Sequence, residues 1–142
     1  MNALDFTIKE AVNEPIKDYL PGSAEKASLK AKLEELKSQT FDIPIIINGQ
    51  EIRTGDTGNC VMPHDHQHIL ATYHKAGEKE VEMAINSALS AWKDWSVTPL
   101  KDRIAIFHKM ADLLQGPYRD LINGSTMLGQ SKNVFQAEID AA

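Results

Sequence analysis

PIIINGQEIRTGDTGNCVMPHDHQHILATYHKAG, residues 44–77, separates a helical beginning from a helical end. Ile45, Ile46 and Ile47 precede Asn48-Gly49, and Ile52 follows it. Asn-Gly tolerates the positive φ angles of a type I′ turn, so the pattern predicts a two-residue hairpin. The Gly-rich turn GDTGN then leads to a short strand at Cys60–Met62. A polar turn at about 63–68 and a second strand, ILATYHKA, follow, and Gly77 closes the segment. From Glu78 the period becomes helical. Val81, Ala84, Ile85, Ala88, Leu89 and Trp92 recur at three- and four-residue spacing, and Trp95 extends the stripe.

Downstream, Thr98 is expected as an N-cap with Pro99 at the first helical position, where its missing N–H costs nothing. Leu100, Ile104, Phe107, Ala111 and Leu114 give that helix its expected buried face, and Gly116-Pro117 interrupts or ends it. PYRDLINGSTML begins another helix. Gly124 weakens it by about 1 kcal/mol relative to alanine, and Gly129 is expected to end it. NVFQAEIDAA then starts a helical pattern that stops without cap, glycine or proline, so a fragment is expected.

Upstream, NEPIKDYLPGS (13–23) holds two prolines and reads as an extended connector. Ser23 can cap a helix whose Leu29, Leu33 and Leu36 form one narrow apolar stripe. Such a helix needs a partner surface to be stable.

The 142 residues suit one ordinary domain with a real core. With 42% hydrophobic and 25% charged residues the chain reads as globular rather than disordered. A formal charge of −5 without a dense Lys/Arg block argues against a nucleic-acid or anionic-membrane partner. One cysteine excludes an internal disulfide framework and fits a reducing compartment. MNALDFTIKE has the form of neither a secretory signal nor an Arg-rich transit peptide, and no stretch approaches the roughly 20 apolar residues that span a membrane. A cytoplasmic location is expected, or the mitochondrial matrix if the source is eukaryotic, although no transit peptide is seen.

The densest collection of ligand-type side chains is CVMPHDHQH, residues 60–68, with His74 shortly after. In one continuous strand Cys60, Met62, His64, His66 and His68 would share a face and could hold zinc, nickel or copper. Pro63 lacks a ladder N–H and DHQH is polar, so a solvated turn is preferred. Cys60, in a strand with no argued base, reads as a structural thiol rather than a nucleophile. No G-x-G-x-x-G follows a strand and no Walker loop is present. Glu138 and Asp140 lie two apart, on different helix faces, and read as solvated. His108 reads as a surface or boundary residue, and Trp92 and Trp95 as packing residues. From the residues alone no catalytic, cofactor-binding or metal-ligating position is assigned.

The order of the pieces supplies more. Ile47-Asn48-Gly49, Pro63, Ala71, the V-x-x-A-I helix from Val81 to Trp95, and Pro99 with Arg103 and Ile106 resemble the N-terminal region of the aldehyde dehydrogenase superfamily. Asn13-Glu14-Pro15, Pro21-Gly22-Ser23 and MLGQSKNVFQAEIDAA resemble one branch, the Δ1-pyrroline-5-carboxylate dehydrogenases. Gly129-Gln130-Ser131-Lys132 departs slightly from the commoner G-K spacing, and Gln136 to Ala142 restores the match. The resemblance implies an α/β parent, of which this part is mostly helical with a β-hairpin and a short antiparallel strand pair. It implies an NAD-dependent enzyme oxidising L-glutamate γ-semialdehyde to L-glutamate in proline catabolism, and PHDHQH as a turn that binds no metal.

In that family a cysteine thiolate attacks the aldehyde, hydride passes to NAD, and a glutamate-activated water releases the acid. The segments carrying these groups lie beyond residue 142. NAD is therefore expected in the parent, none in this part, and no activity from it alone. The expected partners are the remainder of the enzyme and, in the parent, further copies of the chain. The expected divisions are an arm with one helix (1–40), hairpin and strand pair (41–77), and a helical part of the cofactor domain (78–142). Two other readings use the same residues: a free-standing helical interaction module, and a small metal-binding protein built on His64, His66 and His68.

Overall fold

The structure, a computed structural model, describes residues 12–142. The reading of MNALDFTIKE and the first eleven residues of the arm lie outside the described residues. After an irregular segment come helix α1 (Ala24–Lys37), then strands β1 (Phe41–Ile43), β2 (Ile45–Ile47), β3 (Gln50–Ile52), β4 (Thr57–Met62) and β5 (Asp65–His74). Four helices follow: α2 (Glu78–Val97), α3 (Leu100–Gln115), α4 (Arg119–Gln130) and α5 (Val134–Ala141).

α1 starts where Ser23 Oγ accepts from the Lys26 N–H, a side-chain cap. Its stripe works as the spacing requires, with Leu29 and Leu36 buried and Leu33 packed on the core. Ile45, Ile46 and Ile47 pair antiparallel with Ile52, Glu51 and Gln50. The turn between them places Asn48 at φ 52° and Gly49 at φ 72°, the type I′ signature.

The second sheet corrects two expectations. Its order is β1-β5-β4, with β4 and β5 antiparallel and β1 parallel to β5, so the strand pair has a third strand. Three residues between a helix and Pro44 are too short to declare a strand by pattern. The polar turn is also smaller than expected: only Pro63 and His64 make it, and β5 begins at Asp65. Met62 pairs with Asp65 but Val61 with Ile69, so His66, Gln67 and His68 are extra residues on β5. A bulged strand accommodates them without ending the ladder.

The core lies between this sheet and two helices. Leu36 of α1, Met62 of β4 and Leu128 of α4 form its centre, with Leu33, Leu70 and Leu121 around them. α4 touches α1, α5, α3 and β4, which makes it the hub of the molecule. Gly124 belongs to this crossing: a Cβ there would stand 2.9 Å from Leu36 Cδ1. The helix-weakening glycine is the means by which α1 approaches α4.

Other ends differ from expectation. Thr98 Oγ1 donates back to the Asp94 carbonyl (2.8 Å), finishing α2, and Pro99 is the residue that caps α3. α4 continues through Gly129 to Gln130 and stops at Ser131 in the left-handed conformation, φ 55°. The largest difference concerns α2 and α3, in which no residue is buried. Trp92 is 65% exposed and Phe107 64%. The stripes are present, but among the described residues no layer faces them.

Candidate functional site

Arg119 and Asn123 stand one turn apart on α4, so both reach the same side of the helix. Facing them is α5, started by a reciprocal cap in which Asn133 Oδ1 accepts from the Gln136 N–H (2.9 Å) and Gln136 Oε1 from the Asn133 N–H (3.1 Å). That start turns Ala137 and Glu138 inward, both fully buried, and leaves Phe135 and Ile139 exposed. The expectation of a solvated Glu138 is therefore overturned, whereas Asp140 is exposed and pairs with Lys132. Residues with an i, i+2 relation do occupy different faces; the carboxylate simply took the inner one.

Around Glu138 the partners converge. Oε1 accepts from Arg119 Nη2 (2.6 Å) and the Lys17 N–H (2.7 Å). Oε2 accepts from Asn123 Nδ2 (2.7 Å), the Tyr19 hydroxyl (2.8 Å) and Arg119 Nε (3.0 Å). Arg119, 2% exposed, also meets Glu14, so one guanidinium joins two carboxylates. Asn123 Nδ2 donates to the Tyr19 oxygen as well (2.8 Å), while its Oδ1 is buried without a partner.

Burial alone would raise the Glu138 carboxyl; the bonds from Arg119, Lys17, Tyr19 and Asn123 outweigh it and lower the carboxyl to about 2. The neighbouring Tyr19 hydroxyl moves upward, first through burial and then through its bond to Glu138. Near neutral pH Glu138 is thus an ionised acceptor with its lone pairs engaged. It has no proton to give and no space for a reacting molecule, so the arrangement fits a structural clasp.

The residues weighed for metal or thiol chemistry are dispersed. His64 Nδ1 meets Ser131 Oγ (2.7 Å). His66 is exposed, and His68 keeps a buried Nε2 without a partner. His74 receives the Gly55 N–H on Nδ1 (3.3 Å), which leaves Nε2 to face Asp42 (3.2 Å). The same Asp42 accepts from Arg53 Nε (2.6 Å), the main cause that holds its carboxyl below the ordinary value. Among the described residues no three His, Cys, Asp or Glu side chains come together as a metal site. Cys60 is exposed on β4, at a mainly apolar cavity that includes Ala71, Leu121 and Leu128. His108 is exposed.

A dinucleotide cradle needs glycines whose missing side chains leave room for phosphate. In GDTGN, Gly55 is open, but Gly58 lies in β4, where a Cβ would stand 2.5 Å from the Tyr73 ring. The turn also leads into a strand rather than a helix N-terminus. Neither glycine therefore stands at a helix N-terminus, where a dinucleotide phosphate is held.

The sequence and fold match known proteins. Residues 52–142 match the aldehyde dehydrogenase family, and the chain belongs to it. Within that family it is similar to Δ1-pyrroline-5-carboxylate dehydrogenases. That of Agaricus bisporus is 50% identical over 138 residues, covering 96% of this chain and 25% of its own. The human mitochondrial protein of the same description is 41% identical over 133 residues, covering 94% of this chain and 24% of its own. The fold superimposes on the crystal structure of the Mycobacterium tuberculosis Δ-pyrroline-5-carboxylate dehydrogenase bound with NAD with a TM-score of 0.94. That pair shares 40% identity over 99% of this chain and 26% of the other. The chain therefore spans about a quarter of the length of the curated relatives it matches.

Two stretches singled out for their resemblance, Asn13-Glu14-Pro15 and QAEIDAA, meet in the clasp, since Glu14 and Glu138 both contact Arg119. The burial of Glu138 has no local signal, because Lys17 and Tyr19 lie 121 and 119 residues before it.

Proposed function

We propose that residues 1–142 are the N-terminal part of an NAD-dependent dehydrogenase that oxidises L-glutamate γ-semialdehyde, derived from Δ1-pyrroline-5-carboxylate, to L-glutamate in proline catabolism. The observation that carries this reading is 50% identity along 138 residues with a Δ1-pyrroline-5-carboxylate dehydrogenase. The NAD in the M. tuberculosis structure supports the cofactor. The parts are an arm with one helix (1–40), a strand region (41–77) and a helical contribution to the cofactor domain (78–142). Their role is scaffolding: the nucleophile, the water-activating carboxylate and most NAD contacts belong to segments beyond residue 142. The remainder of the enzyme is the partner of the uncovered α2 and α3 faces, and the whole enzyme assembles from several copies. No described helix is long and apolar enough to cross a membrane. Several relatives are named as mitochondrial, which supports the matrix over the cytoplasm for a eukaryotic source.

The test is substrate preference of the full-length enzyme with NAD. kcat/KM for L-glutamate γ-semialdehyde should exceed that for an aliphatic aldehyde of equal length without the amino acid head by at least about tenfold, the cost of one lost charged contact. Equal values for the two aldehydes would contradict the proposed substrate.

A further inference from the structure

We propose that residues 12–20 form a strap that opens as a unit of its own, with the Glu138 carboxylate as its latch. This inference does not depend on the activity proposed above. The segment has no helix or ladder to hold it. Nor does it adhere through apolar packing: Val12 is 86% exposed, Ile16 54% and Leu20 60%. Tyr19 alone is buried, and it is held at φ 50°, a conformation disfavoured for an aromatic residue.

The bonds between strap and helices all end on three side chains. Lys17 N–H and the Tyr19 hydroxyl donate to Glu138, Asn123 donates to Tyr19, and Glu14 meets Arg119. Because Glu138 organises the other members, loss of its charge weakens these contacts together. An open cavity of about 610 Å³, bordered by Ile16 and Leu20, by Ser28 of α1 and by Asp120 of α4, separates the strap from these helices on this side. Opening has a natural limit at Pro21-Gly22, where Gly22 sits at φ 83°, because α1 beyond it is anchored by Leu29 and Leu36.

Hydrogen–deuterium exchange on the full chain with Glu138→Gln tests this. Gln keeps the shape of Glu138 but replaces one acceptor with a donor. Exchange at the Lys17 amide, the strap N–H bonded to Glu138, should rise about tenfold or more, and by more than in α1 and β4–β5. Unchanged strap exchange, or equal acceleration everywhere, would overturn the proposal. Should Glu138→Gln not fold, Tyr19→Phe decides, since it leaves the Arg119–Glu138 pair intact. Faster exchange confined to the strap supports the latch; an unaffected strap, or equal loss of protection in α5, refutes it.

Discussion

Glu138 shows how one residue can carry more of a fold than its surroundings in sequence suggest. Its charge is buried, and only five well-placed donors make that tolerable. Glu138→Ala removes the acceptor while leaving Arg119 buried with Glu14 alone, so about 3–5 kcal/mol of stability should be lost in denaturant unfolding of the full chain. A loss under about 1 kcal/mol would mean that the pair is not formed in solution. The pH dependence has a definite sign. The folded carboxyl lies at about 2, below its ordinary 4.5, so its contribution is complete above about pH 4.5 and fades as pH falls toward about 2. Glu138→Gln should therefore flatten the stability curve in that acid window and leave its slope near neutrality unchanged. A variant with the unaltered acid slope contradicts this assignment.

At the level of elements, two glycines make opposite demands. Gly49 is required by backbone angle alone, since a Cβ there would meet nothing within 4 Å. Gly49→Val forces a β-branched residue to positive φ and should cost more than about 1 kcal/mol. A neutral result in thermal unfolding would mean a different turn. Gly124 is required by space, and Gly124→Val should cost about 1–3 kcal/mol by overpacking the α1–α4 crossing. An unchanged midpoint would show that Leu36 yields freely.

The first glycine was legible in the sequence, because Asn-Gly between apolar runs has a local cause. The second was not, because the element that needs the gap lies nearly ninety residues earlier. The same distinction separates successes from failures elsewhere. Ser23 and the leucine stripe of α1 act locally and were legible. β1 exists only because β5 lies beside it, and the extent of the His turn was set by a bulge against β4. The clasp brings together residues 14 and 138 on Arg119, a separation that no periodicity displays.

For the whole molecule, the informative feature is what is left uncovered. α2 and α3 carry well-formed apolar stripes, yet Leu89, Trp92, Leu100 and Phe107 are each more than half exposed. Exposed apolar stripes of this kind seek cover. The isolated 142-residue chain should therefore self-associate, and sedimentation velocity should show mass rising with concentration. A well-behaved monomer at all concentrations would favour a free-standing module. On the proposed reading these residues build scaffold and carry none of the chemistry. Its most direct test is turnover by the purified 142-residue chain given NAD and L-glutamate γ-semialdehyde, beside the full-length enzyme. NADH should appear only with the full-length enzyme. Turnover by residues 1–142 that vanishes with Cys60→Ala would contradict it.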